Sequence, residues 1–276
     1  MTGASPVATA FGKASADSRA ALIGYLPAGF PTVDGAIEAA RAMAGAGADI
    51  IEIGLPYSDP LIDGPVIQEA ARRALAAGTR VSDVLDTVQA VAAAGVPVLV
   101  MTYWNPIDHH GVAAFARDLA NAGGSGLITP DLTPEEAGPW LEEAAARGLD
   151  PVFLVAPSSS AERIKLITSA CSGFVYAASM MGTTGSRDVV GDEAAALVRR
   201  VREHTSLPVG VGLGVKDRSQ AKEVAGFADG VIVGTAFVRR LLEAPDAGAG
   251  VAAVRDLAAD LAAGVRDRAR IPFDIA

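Results

Sequence analysis

The chain has 276 residues, half of them hydrophobic, and a formal net charge of -9. That length can bury a large core, and the acidic balance makes nucleic acid and anionic membrane surfaces poor partners. The lone Cys171 excludes a disulfide framework within the chain and suits a reducing compartment. Residues 1–20 contain no basic-led apolar segment, and the most apolar stretch, 91–104, is short and broken by Gly95 and Pro97. A soluble cytoplasmic protein without signal peptide or membrane span is therefore expected.

Residues 1–20 read as a mostly helical lead-in. Short Val/Ile/Leu-rich runs then alternate with Ala-rich amphipathic segments. Strand 21–26 precedes helix 33–46, strand 50–53 precedes helices 66–77 and 81–94, and strand 98–102 precedes helix 112–122. Strand 126–129 leads to helix 134–147, strand 151–155 to helix 161–170, and strand 173–177 to helix 193–203. Strand 208–211 leads to helix 218–225, and strand 230–233 to helices 235–242 and 250–263. Start signals fit: Asp34 and Ser160 stand near helix openings, and Thr133-Pro134-Glu135-Glu136 combines an N-cap with proline at the first helical position. Gly47, Gly95, Gly123 and Gly148 each close a helical run.

This unbroken alternation predicts one α/β domain over 1–276, a (β/α)8 barrel, in a size class where such barrels commonly run about 250 residues. Lead-in 1–20, barrel 21–242, and C-terminal helix and tail 243–276 are its expected parts. A doubly wound open sheet is the alternative, but no Gly-x-Gly-x-x-Gly follows the first strand.

Chemistry in such a fold belongs on the loops after the strands. The second strand, Ile50-Ile51-Glu52-Ile53-Gly54, carries a glutamate where a buried strand should be apolar throughout. Alternation puts Ile51 and Ile53 on one face, and Ile50, Glu52 and Gly54 on the other. A carboxyl buried there holds its proton to high pH, the profile of a general acid; the bland alternative is a hidden ion pair. Asp63 follows in a Pro/Gly-bounded loop, where it equally suits a turn. Together, one neutral and one ionised carboxyl would suit acid–base work across a ligand. Tyr176, on the sixth strand, can reach the same mouth or serve as a core aromatic.

Glycine-bearing loops follow strands six to eight: 179–187, Gly212-Leu213-Gly214, and Gly234-Thr235-Ala236 opening a helix. Three in succession at those strand ends point to a phosphate grip made of backbone N–H groups. No predicted strand offers a lysine for Schiff-base chemistry. His109 and His110, expected in a loop, and His204, expected in a helix, do not form a metal-ligand pattern. Bond breaking must then rest on proton transfers and a substrate with its own electron sink.

The run Ile51-Glu52-Ile53-Gly54-Leu55-Pro56-Tyr57-Ser58-Asp59-Pro60-Leu61-Ile62-Asp63-Gly64-Pro65-Val66-Ile67-Gln68 closely resembles the signature of the tryptophan synthase alpha chain family. The resemblance extends from about residue 21 to 242 and includes Met101-Thr102-Tyr103-Trp104-Asn105-Pro106 and Pro130-Asp131-Leu132. It implies a (β/α)8 barrel that cleaves indole-3-glycerol phosphate to indole and glyceraldehyde 3-phosphate. On that resemblance Glu52, Asp63 and Tyr176 are catalytic; Gly185, Gly214, Gly234 and Thr235 bind phosphate; and Tyr25, Met101 and Ile128 line the indole pocket. Asp59, Asn105 and Thr184 would serve lid and partner contacts, and the stretch 182–191 would be the lid. No metal or cofactor is implied in this chain. The resemblance does imply a tryptophan synthase beta chain as partner, carrying pyridoxal phosphate, in an alpha2beta2 heterotetramer. Thr235 stands where serine is usual in the family, and Leu213 and Phe174 replace larger or more polar aromatics. A stand-alone lyase, a non-catalytic partner-activating barrel and a sugar-phosphate isomerase are the competing readings.

Overall fold

The computed structural model describes residues 4–178 and 187–267. Helix α1 (Pro6–Ala16) precedes β1 (Ala21–Pro27), α2 (Val33–Gly45), β2 (Ile50–Gly54), α3 (Pro65–Ala76), α4 (Val81–Ala92) and β3 (Val98–Met101). Then come α5 (Trp104–His110), α6 (Val112–Asn121), β4 (Gly126–Thr129), α7 (Gly138–Arg147), β5 (Asp150–Val155), α8 (Ala161–Ala170) and β6 (Val175–Ala178). The series ends with α9 (Arg187–Arg202), β7 (Val209–Gly212), α10 (Arg218–Ala225), β8 (Gly230–Val233), α11 (Thr235–Glu243) and α12 (Ala247–Arg266). The eight strands pair in sequence order, all parallel, and β8 closes onto β1. This is a (β/α)8 barrel.

Two apolar layers follow from the two faces of each strand. Ile51 and Ile53 point outward into the shell between sheet and helices. Ile23, Ile50, Leu99, Ile128, Val152, Phe174 and Ile232 fill the barrel interior, with α1 lying beneath them. Phe11 of α1 packs on Phe174 at a centroid separation of 5.4 Å, and Phe174 lies 6.4 Å from Tyr176. The lead-in helix therefore plugs the N-terminal end of the barrel.

Polar clamps hold that end. Ser5 accepts from the Ala8 N–H as the N-cap of α1, and its hydroxyl donates to Asp150 at 2.6 Å. The other Asp150 oxygen accepts from Ser172 at 2.5 Å. Arg19 grips Asp49 with two hydrogen bonds of 2.6 and 2.8 Å, while Asp49 also accepts the Leu22 N–H. Arg202 and Asp229 repeat this arrangement beside β7, where the carboxylate accepts the Val209 N–H. Charges here are tied to strand starts, away from the C-terminal rim.

Several local expectations change. His109 and His110 end α5 rather than lying in a loop, because the Asp131 carboxylate accepts the Trp104 N–H and caps the new helix. The helix expected from 134 starts only at Gly138: Thr133 and Glu136 close a turn on each other instead. His204 lies in the turn after α9, and α9 begins six residues before the expected 193. The glycine stops hold, since Gly47, Gly95, Gly123 and Gly148 all have positive φ.

Candidate active site

At the C-terminal rim the strand ends surround a cavity of about 890 Å³. Glu52 faces it from β2, fully buried, with neither carboxylate oxygen hydrogen-bonded among the described residues. Burial without a partner pushes its pKa up to about 8, so the group is a neutral acid near pH 7. Register places Tyr25 directly opposite it on β1 and Leu99 on β3. A neutral carboxyl suited to general-acid work is thus built into a strand.

Asp63 reaches the same cavity from the loop between β2 and α3. Burial raises its pKa, and hydrogen bonding from the Tyr103 hydroxyl opposes that rise. The Tyr103 oxygen also accepts the Leu61 and Ile62 N–H groups at 2.9 and 3.0 Å, pinning the loop that carries Asp63. On the far side Tyr176 of β6 lines the cavity, and burial beside Glu52 and Asp63 lifts its phenol well above the usual value. The two carboxyls and Tyr176 are therefore brought together as the sequence suggests.

The glycine-bearing strand ends are equally well placed. Gly214, Gly234 and Thr235 line the cavity, and α11 starts at Thr235, so its first N–H groups lack intrahelical partners. Gly214 takes φ +68°, a conformation that L side chains seldom adopt. A helix N-terminus flanked by glycine backbone suits a phosphate. Gly185 and Thr184 lie outside the described residues, as does the first half of the stretch 182–191.

Tyr25 and Met101 line the cavity, whereas Ile128, the register partner of Met101, is fully buried in the inner core and is not part of the lining. Asp59 lies on the exposed rim, its carboxylate accepting from the Ser58 hydroxyl, and Asn105 donates to the Tyr57 hydroxyl at 3.2 Å. Leu61 is 78% exposed beside them. The sequence marks Tyr103 only as part of a family-like run just past a strand end, and its role in the Asp63 loop emerges from the fold. Asp131, in another such run, caps α5 at the same rim.

A model of the family described as tryptophan synthase alpha chain matches residues 11–266. The chain belongs to that family. The tryptophan synthase alpha chain of Thermobifida fusca is 59% identical over 94% of this chain and 97% of its own. That of Streptomyces coelicolor is 60% identical over 93% and 95%. A structure of Mycobacterium tuberculosis tryptophan synthase superposes with a TM-score of 0.89 at 52% identity, covering 96% of this chain and 99% of the other. The tryptophan synthase subunit alpha of Legionella pneumophila gives a TM-score of 0.86 at 33% identity, covering 95% and 99%. The alpha-chain fold is thus shared at half and at a third of sequence identity.

Proposed function

We infer that this alpha chain is a carbon–carbon lyase that cleaves indole-3-glycerol phosphate to indole and glyceraldehyde 3-phosphate. The observation that carries the reading is Glu52, a carboxyl without a partner, buried on the wall of a cavity that Asp63 also lines. Neutral Glu52 gives its proton to C3 of the indole, leaving positive charge on the ring nitrogen. Ionised Asp63 accepts the ring N–H and balances that charge. The Glu52 carboxylate then takes the proton of the hydroxyl next to the ring. As that C–O becomes a carbonyl, the bond between C3 and the glycerol carbon breaks. Its electron pair returns to the ring, which releases neutral indole and leaves Glu52 protonated again.

Each proton transfer is worth on the order of 10² to 10⁴ in rate. Tyr176 closes the mouth beside the carboxyls. Backbone N–H groups of Gly214, Gly234 and Thr235, joined by Gly185, hold the phosphate, and Tyr25 and Met101 face the indole, with Ile128 as the floor. In this reading no metal or cofactor is used by the chain itself.

The partner in this reading is a tryptophan synthase beta chain carrying pyridoxal phosphate, in a cytoplasmic alpha2beta2 heterotetramer. Exposed Leu61, with Asp59 and Asn105, marks the docking rim, and Thr184, outside the described residues, is assigned to the lid on the family resemblance. Indole release measured with and without a beta chain tests both halves. Turnover that rises on adding the beta chain and vanishes in Glu52→Gln supports the reading; full activity in Glu52→Gln overturns it.

A further inference from the structure

Tyr25 holds a polar atom that the proton transfers above leave unused. Its ring lies across the mouth with both ends cleared by glycine. A methyl group at Gly54 would stand 2.2 Å from the hydroxyl oxygen, and one at Gly234 would stand 3.1 Å from the ring. The residue is only 9% exposed, and what remains open faces the cavity. A tyrosine so placed ordinarily gives its hydroxyl a hydrogen-bond partner. Tyr25 borders the main cavity and also a side chamber of about 20 Å³ shared with Asp63, Thr102 and Tyr103. That chamber has room for a single bridging water.

Asp63 needs such a donor. The groups facing it are Tyr25 from β1, Glu52 from β2, Tyr103 from the segment after β3, and Tyr176 from β6; Gln68 of α3 donates only to its backbone oxygen. Arg163, on the outer wall of the cavity, is engaged with Glu135. Burial favours the neutral form of Asp63, and holding the indole N–H demands the ionised one. The lone pairs of the Tyr103 oxygen are taken by two backbone N–H groups, so its proton is directed at Asp63. One phenol is thereby assigned; the second, Tyr25, lines the same chamber.

Resting on the reading of the site given above, we propose that Tyr25 is a positioning residue whose hydroxyl donates to Asp63, directly or through one water, and holds that carboxylate ionised and aimed at the indole nitrogen. The phenol keeps its own proton throughout, because burial and the two neighbouring carboxyls raise its pKa well above the usual value.

The test is Tyr25→Phe, which removes one oxygen and keeps the ring. Two quantities are followed against pH in the complex with a beta chain: affinity for indole-propanol phosphate, and kcat/KM for cleavage. The acid-side midpoint of both profiles should rise by about one pH unit, an approximately tenfold loss at the acid end. The alkaline side and the melting temperature should stay in place. An acid midpoint equal to wild type overturns the proposal, as does a uniform loss at every pH, which would mean that the ring only packs. Analogue affinity reads Asp63 without chemistry. A shifted binding midpoint in a protein that releases no indole would sink the lyase reading and leave the role of Tyr25 standing.

Discussion

The Tyr176 hydroxyl lies over the backbone of Gly212, two residues beyond its register partner Gly210 on β7, so closely that a methyl group there would be 2.6 Å from the oxygen. The ring carbons behind it would be 3.0 and 3.1 Å away, so the whole ring, not just its tip, would have to move. Gly212→Ala is expected to displace Tyr176 into the cavity and cut kcat by at least about tenfold. Its cost in stability should be modest, about 1–3 kcal/mol as for overpacked sites. Steady-state kinetics beside a urea titration check this; wild-type kcat would show that the ring has another place to rest.

Glu52 should weaken the fold as pH rises. Its folded pKa of about 8 exceeds the ordinary 4.5, so between those values the unfolded chain releases a proton that the folded chain keeps. Stability from this group is therefore lost across that window, by about 1.4 kcal/mol for each pH unit, and levels off above pH 8. Glu52→Gln cannot titrate. Its stability relative to wild type should climb from pH 5 to pH 8.5, with cleavage nearly abolished throughout. Parallel stability curves for the two proteins would contradict a buried, unpaired Glu52.

The same titration limits the reaction. Cleavage should decline once pH passes about 8, because the ionised carboxyl can no longer protonate the indole. Single-turnover rates across pH 6 to 10 would reveal this limb, and a rate still level at pH 10 would move the acid role away from Glu52.

At the opposite end, Arg19 and Asp49 form a bidentate pair with side chains only 10% and 16% exposed. Arg19→Ala leaves Asp49 buried without its cation and should cost about 3 kcal/mol. Turnover per folded molecule should not change, since this face of a barrel serves stability. A selective loss of kcat in a normally stable variant would refute that division.

Gly234→Asp should weaken binding of indole-propanol phosphate by at least about tenfold, through a carboxylate set at the helix N-terminus meant for an anion. Calorimetry on the folded variant measures it directly, and unaltered affinity would relocate the phosphate.

The parts legible in the sequence were those governed by local rules. Strands 126–129 and 230–233 and helices 161–170 and 218–225 were read with their observed limits, because apolar runs there end in glycine or a capping residue. Glu52 stood out because a carboxyl interrupts an Ile-rich strand. What escaped depends on contacts across the chain. Helix α5 exists because Asp131, 27 residues away, caps it, and α7 starts late because Thr133 and Glu136 close a turn first. Tyr103 acquires its place only when two backbone N–H groups, some forty positions earlier, fold over it. Ile128 is expected on the pocket wall from the family resemblance, and its full burial in the inner core beside Met101 follows only from the closed barrel.

Phe11, Phe174 and Tyr176 make a single stack running from the plug to the mouth. The first of these rings belongs to a helix that contributes nothing to any strand. A change in α1 therefore reaches the underside of the cavity through two ring contacts, so this helix is part of the catalyst's foundation.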